Sequence, residues 1–276
     1  MIARIIDQYR VVSVLYTGKY SRIYKAVHDG TFKEVAIKVL LPEVKSSKRR
    51  KALEKEAHWG LGFSHPNLLK IYSYEKDNIG PHFVMEFFPS RNLRDRILHK
   101  EDIVREKAKE ITTGVVEALA YVHSQGVVHR DVKPSNILAN ERGEAKLIDF
   151  SIAEPMGRKH RRFLLKPKVE GTRAYMAPEQ ILGEPLDSRA DIYSLGATIY
   201  EMMTGHPPFT ADLEEEIIQK HLVAQAPSMV QRNIAVSKEL DRIVREMLKK
   251  DPEERPRDME VVLGRLRDIP FYEKMS

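Results

Sequence analysis

The chain has 276 residues, 42% of them hydrophobic and 31% charged, with 46 Lys and Arg against 40 Asp and Glu. That length and balance suit a globular chain of one large domain or two modest ones, and exclude the disordered and collagen-like classes. There is no cysteine, which excludes disulfides, thiol catalysis and cysteine-ligated metal centres and fits a reducing, cytoplasmic setting.

Val11–Leu15, Ile23–His28 and Val35–Leu40 read as strands, being apolar and β-branched with turn signals at Thr17-Gly18 and Asp29-Gly30. Asp29-Gly30 predicts a tight hairpin, because that pair readily takes positive φ. Lys45–Phe63 is charged and helical, with Leu53, Ala57 and Leu61 at four-residue spacing as its apolar face. Gly60 and Gly62 weaken its last turn by about 1 kcal/mol each relative to Ala. His82–Phe88 is a further strand. Beyond residue 90 the pattern turns helical. Arg105–Ser124 sets Ile111, Val115, Leu119 and Val122 on one face and stops at Gly126; Asp187–Thr204 does the same with Ile192, Leu195, Ile199 and Met202 and stops at Gly205. Lys238–Lys250 is a third amphipathic helix. The expected fold class is α+β, with a small strand-rich part over residues 1–87 and a larger helical part over 88–276. The join falls near Phe87–Arg91, and clefts between such parts favour ligands. No apolar run approaches the ~18 residues of a membrane span. The stretch from Met1 to Asp7 lacks the basic-then-apolar pattern of a signal peptide.

The chemistry-bearing residues cluster in order. Val35-Ala36-Ile37-Lys38 comes first, then His129-Arg130-Asp131-Val132-Lys133-Pro134-Ser135-Asn136, then Asp149-Phe150-Ser151, then Ala177-Pro178-Glu179, with Asp191 beyond. These stretches resemble the V-A-I-K, H-R-D-x-K-P-x-N, D-F-G and A-P-E motifs of the protein-kinase superfamily, in order and over Tyr9 to Asp268. Gly171-Thr172 and Lys133 point to the Ser/Thr branch. The wording of residues 175–180 and 251–256 is most similar to bacterial eukaryotic-like Ser/Thr kinases. The resemblance implies a bilobal kinase fold, with a small antiparallel-sheet N-lobe carrying one main helix and a larger, mainly helical C-lobe. It implies transfer of the γ-phosphate of ATP to a protein hydroxyl, with Mg²⁺ and with Mn²⁺ as an admissible substitute. Phosphoryl transfer needs positioning and charge neutralisation more than covalent catalysis. On this resemblance Lys38 binds the α- and β-phosphates and is fixed by an acidic partner. Glu56, nine residues before His65-Pro66-Asn67, is the expected partner; Glu54 is the alternative and should face elsewhere. Asp131 orients the substrate hydroxyl and accepts its proton, and Lys133 steadies the γ-phosphate. Asn136 and Asp149 supply hard oxygen ligands suited to Mg²⁺. Leu15, Ile23, Ala36 and Leu138 sandwich the adenine, Met85 sits at the gatekeeper position, and the backbones of Glu86 and Phe88 bond the adenine edge. Glu179 and Arg255 resemble a structural ion pair, and Asp191 an anchor of the catalytic loop.

The departures are as informative. The glycine-rich pattern falls on Tyr16-Thr17-Gly18-Lys19-Tyr20-Ser21, so only Gly18 remains, and Tyr16 and Ser21 should stiffen the loop. This favours the alternative of a nucleotide-binding pseudokinase acting as an interaction module. A small-molecule kinase of the aminoglycoside type shares the fold, but the A-P-E element and the long activation segment speak against it. Ser151 stands where D-F-G has glycine, and is expected to restrict a flip of Asp149. Gly60 leaves no side chain against Ile71, so the helix is expected to dock less firmly. From Ile152 to Gly171 there is no Ser, Thr or Tyr. Activation by phosphorylation of that stretch has no acceptor, and Glu170 is a candidate surrogate anion for Arg130. Arg158, Lys159, Arg161, Arg162, Lys166 and Lys168 account for the whole excess of positive charge in the chain. The bland explanation of this strip is a solvated loop. The sharper one is recruitment of an acidic protein substrate or acidic regulator. Asn92 and Ser135 stand where basic-directed kinases carry acids, so Arg-rich substrates are not expected. Nucleic acid has no support beyond charge, and the family resemblance admits a homodimer.

Overall fold

A computed structural model of the chain describes residues 5–77, 79–157 and 173–273. It divides into two compact units, residues 1–89 with 149–152, and residues 90–148 with 153–276. Asp149–Ile152 thus belong with the first unit, not with the 88–276 part to which the sequence pattern assigned them.

The first unit is an antiparallel sheet of β1 (Ile5–Ile6), β2 (Tyr9–Thr17), β3 (Ser21–His28), β4 (Glu34–Leu40), β5 (Ile71–Asp77) and β6 (Gly80–Glu86), in the order β1-β2-β3-β4-β6-β5, with α1 (Ser47–Gly62) packed on β5 and β6. Alternation along β4 decides where its side chains go. Val35, Ile37 and Val39 enter one apolar cluster with Ile6, Tyr24, Ala26 and Val84. Ala36 and Leu40 enter the other, with Leu53 and Ala57 of α1, Ile71, Phe83 and Met85. Lys38 therefore shares the α1 side of the sheet with Ala36 and Leu40.

Three local expectations need correction. The β3–β4 turn is not a two-residue Asp-Gly turn. The His28 Nδ1 accepts the amides of Gly30 and Thr31, at 3.0 and 3.1 Å, the Phe32 amide donates to the His28 carbonyl, and the left-handed residue is Phe32 at φ 57°. The His28 side chain thus satisfies a wider loop that Asp29-Gly30 alone does not specify. Leu61 is 43% exposed; the buried face of α1 is Leu53, Glu56, Ala57 and Gly60. Finally, Gly60 does not leave the helix loosely docked. A Cβ there would lie 2.4 Å from Ile71 Cδ1, so the Ile71 side chain already fills the space and the absent Cβ is what lets α1 approach β5. Gly60→Ala is expected to destabilise the fold by about 1–3 kcal/mol through overpacking, despite its better helix propensity. Chemical denaturation reads this, and adding Ile71→Val should recover part of the loss.

The second unit contains β7 (Arg91–Asn92), α2 (Leu93–Leu98), α3 (Ile103–Glu106), α4 (Ala108–Ser124), β8 (Val127–Val128), β9 (Ile137–Ala139), β10 (Ala145–Leu147), β11 (Glu154–Pro155), α5 (Pro178–Leu182), α6 (Ser188–Thr204), α7 (Glu214–Val223), α8 (Met229–Arg232), α9 (Lys238–Met247) and α10 (Met259–Arg267). Helix α6 is its axis. It is buried on every side from Ala190 to Met203 and packs on α4 and α9, with apolar side chains on all faces and its two buried carboxylates, Asp191 and Glu201, hydrogen-bonded to His123 and Tyr175. Asp187 caps its start by accepting the Arg189 amide, and Gly205, at φ 79°, ends it in a left-handed conformation that suits glycine. The short strands β10-β9-β7 and β11-β8 hold the loops that carry the polar residues. Among the described residues no helix is long and apolar enough to cross a membrane.

Candidate active site

In the first unit, Lys38 Nζ donates to both carboxylate oxygens of Glu56 at 2.7 Å. The side chains are 17% and 9% exposed. Glu54 lies elsewhere on α1 and pairs at the surface with Lys76 at 2.9 Å. Burial pushes the Glu56 carboxyl up to about 7, with Asp149 adding to the push and Lys38 opposing it. Burial also acts to lower Lys38, but the carboxylates of Glu56 and Asp149 outweigh it and hold the ammonium above its ordinary value. Asp149 has φ 70° and accepts the Ser151 amide at 3.2 Å. Its neighbour Phe150 is buried edge-on against Phe63, which in turn stacks on Trp59 of α1. Asp149, Lys38 and α1 therefore form one assembly.

The candidate nucleotide residues of this unit lie on the strands beside Lys38. Ala36 is buried on β4, Ile23 half-buried on β3, and Met85 buried near the end of β6. Glu86 closes β6, where its amide donates to the Lys70 carbonyl at 2.8 Å, and Phe88 follows, half-buried. Leu15 is largely exposed on β2. Gly18 and Ser21 close the β2–β3 turn through a 2.9 Å bond from the Gly18 amide to the Ser21 carbonyl. The Tyr16 ring covers Gly18, where an added Cβ would lie 2.8 Å from Tyr16 Cε1. The bulky residue in the degraded glycine pattern thus packs on the surviving glycine.

In the second unit, Asp131 is the point of convergence. Its Oδ2 accepts from Lys133 Nζ at 2.7 Å and from Asn136 Nδ2 at 2.9 Å, and Asn136 Nδ2 also reaches the Asp131 carbonyl at 2.9 Å. Pro134 opens the short 3₁₀ turn to Asn136, and β9 follows with Leu138, half-buried and paired with Asn92 and Lys146. The loop is held from below by Asp191, fully buried, whose carboxylate accepts the amides of His129 and Arg130 at 2.8 Å and His123 Nε2 at 2.9 Å. Burial alone would raise Asp191, but His123, His129 and the Arg130 amide together hold its carboxyl below the usual range. His129 Nδ1 accepts the Asp131 amide, so its Nε2–H donates to the Ile148 carbonyl. Asp131 also lines a small cavity with Tyr175, Met176 and Ser194.

Some partners carried no sequence signal. His123 on α4 is one. Gln180 Nε2 donates to the Arg130 carbonyl at 2.9 Å. Arg94 and the Tyr175 hydroxyl both bond the buried Glu201 carboxylate, and the burial together with Glu201 pushes the Tyr175 phenol up. Arg130 pairs with Glu154 at 3.2 Å. The expected surrogate, Glu170, and the basic strip of residues 158–168 lie outside the described residues, as does Thr172. Glu179 and Arg255 form a bidentate pair at 2.7 and 2.9 Å.

The charge pairs on Lys38 and Asp131 suit phosphoryl transfer, and the comparisons agree. The sequence pattern of the protein kinase domain matches residues 9–264. A probable serine/threonine-protein kinase of Streptomyces coelicolor is 33% identical over 91% of this chain and 38% of its own length. The serine/threonine-protein kinase PknB of Mycolicibacterium smegmatis is 31% identical over 90% of this chain and 41% of its own length. A probable PknB kinase of Bifidobacterium longum is 32% identical over 80% of this chain and 34% of its own length. The chain thus spans about two-fifths of the curated relatives it matches. With its domain matched almost from end to end, and with its motif residues gathered around Lys38 in one unit and Asp131 in the other, the chain belongs to the protein kinase family.

Proposed function

We propose that the chain is an active Ser/Thr protein kinase that transfers the γ-phosphate of Mg-ATP to a protein hydroxyl without phosphorylation of its activation segment. The observation that carries this reading is the Asp131 carboxylate, held by Lys133 and Asn136 on a loop anchored to Asp191. Asp131 accepts the proton of the attacking hydroxyl, and Lys133 moves between that carboxylate and the transferred phosphoryl group. Lys38, held on Glu56, neutralises the α- and β-phosphates. The donor set of Asn136 and Asp149, an amide oxygen and a carboxylate, suits Mg²⁺, and the Asn136 amide nitrogen is engaged by Asp131. When bound, the metal neutralises charge on the phosphates. Leu15, Ile23 and Ala36 of the first unit and Leu138 of the second are the candidate adenine contacts, with Met85 as gatekeeper. Because the Glu86 amide donates to Lys70, the hydrogen bond to adenine falls to the Glu86 carbonyl and the Phe88 backbone. The substrate is a protein with acidic residues around the acceptor, a reading supported by the basic sequence of residues 158–168.

The Tyr16 ring over Gly18 favours the rival, a pseudokinase that binds nucleotide and acts by interaction alone. Radiolabelled ATP with a generic protein substrate separates them. Label transfer that survives phosphatase treatment of the enzyme and disappears in Asp131→Asn supports the kinase. Transfer absent from the wild type supports the pseudokinase.

The Lys38–Glu56 pair also sets a pH dependence. Glu56, at about 7 in the folded chain, protonates as pH falls and releases Lys38. Activity at low ATP should therefore fall as pH drops below about 7. A Glu56→Gln variant, less active throughout, should lack that acid limb. The stability effect runs the other way. Between 4.5 and about 7 the folded chain binds more protons at Glu56 than the unfolded chain, so this group's contribution to stability is present at low pH and declines as pH rises through that window.

A further inference from the structure

We infer that Glu154 is the built-in counter-ion of Arg130, positioning the catalytic loop in place of a phosphate; the inference rests on the phosphorylation-independent reading above. Arg130 immediately precedes Asp131, and its backbone is fully committed. It sits at φ 70°, a left-handed conformation that is unfavourable for an L-residue with a side chain. Its amide donates to Asp191 Oδ1 and its carbonyl accepts from Gln180 Nε2. Its side chain is only 5% exposed, and a cation so buried needs an anion beside it. Glu154 Oε1 supplies one at 3.2 Å, from a side chain that is itself 17% exposed.

The carboxylate is delivered by backbone pairing. Glu154 opens β11, which pairs antiparallel with β8 so that Glu154 lies opposite Val128, two residues before Arg130. Kinase activation loops are commonly ordered by a phosphate that pairs with arginine. Such a group adds about −1.5 to −2 charge, and only after modification. Here the sequence from Ile152 to Gly171 has no hydroxyl to modify, and a carboxylate at its start already meets the arginine. Glu154 acts through Arg130 and is therefore a positioning residue.

The test uses the full chain, treated with phosphatase, with kcat, KM for ATP and melting temperature measured for wild type, Glu154→Gln, Arg130→Gln and the double variant. Glu154→Gln is expected to lower kcat by about 10- to 100-fold, with KM for ATP within about twofold. The double variant should be no worse than the weaker single, because the two residues act as a pair. If Glu154→Gln melts too low to assay, comparing Arg130→Gln with the double variant reads the same coupling. There an added Glu154→Gln that costs a further tenfold or so overturns the inference, and one that costs less than about twofold supports it. An inactive or phosphatase-sensitive wild type overturns the kinase reading and this inference with it. With an active, resistant wild type, a Glu154→Gln kcat within about twofold of normal overturns this inference alone.

Discussion

Replacing Asp131 by asparagine is expected to lower kcat by about 10³-fold while ATP affinity stays within about twofold. The exchange keeps the size and shape of the side chain but removes its basicity and its charge. Its neighbours sharpen the contrast with a purely structural aspartate. Oδ2 accepts from Lys133 Nζ and Asn136 Nδ2, both of them donors. An asparagine can turn its amide oxygen to them and keep the hydrogen bonds, so the loop should stay in place and stability should fall by only about 1 kcal/mol. Lys38→Met is the companion variant. It strips the phosphate-neutralising cation and leaves Glu56, buried and without its lysine, to take up a proton. Weak ATP binding is expected there, where Asp131→Asn binds ATP normally. An Asp131→Asn variant that lost stability and ATP binding together, with its residual catalysis intact, would make Asp131 a loop-holding residue and sink the proposed role.

The features legible in the sequence are those set by local periodicity or by a contiguous motif. Alternation along Val35–Leu40 puts Lys38 with Ala36 and Leu40, whereas Glu56 is singled out by the family resemblance, nine residues before His65-Pro66-Asn67, and lies three residues after Leu53 on the same buried face. Asp131, Lys133 and Asn136 lie within one short loop, so their convergence follows from proximity along the chain. What escaped was long-range or local in an unexpected way. Glu154 meets Arg130 through strands of two residues each, too short to leave a pattern. His123 meets Asp191 across 68 residues, and Gln180 meets the Arg130 carbonyl across 50. Gly60 looked like a weak point because helix propensity is a local quantity, whereas its value depends on Ile71, in another element. Leu61 misled for a related reason. Spacing identifies a stripe, but the stripe through Leu53 and Ala57 is continued by Gly60, and Leu61 lies beyond its edge. The His28 side chain overrode the Asp-Gly preference by giving two loop amides a partner.

The largest stability effect is expected at Glu179 and Arg255, and the two halves of the pair should fail differently. Arg255 is wholly buried; besides both Glu179 oxygens it donates to the carbonyls of Lys249, Arg189 and Lys250. Glu179→Gln leaves a buried guanidinium among carbonyl dipoles with no counter-charge. Arginine cannot shed its proton in a protein, so the cost, about 3–5 kcal/mol, stands at any working pH. For a chain of this size that is a fall of about 10 °C in melting temperature. Arg255→Met instead leaves a buried carboxylate, which can escape its charge by binding a proton. The folded variant then holds that proton more tightly than the unfolded chain. Stability of Arg255→Met should therefore recover as pH is lowered from 8 towards about 5 and decline as it rises, whereas that of Glu179→Gln should show no such recovery. Equal pH profiles for the two variants would mean that the pair is not the dominant interaction at either residue. Glu179 adjoins Gln180, whose side chain holds the Arg130 carbonyl. Glu179→Gln is thus also expected to reduce kcat more than Arg255→Met assayed at low pH, because only in the latter does a neutral, well-seated Glu179 keep α5 in place under the catalytic loop.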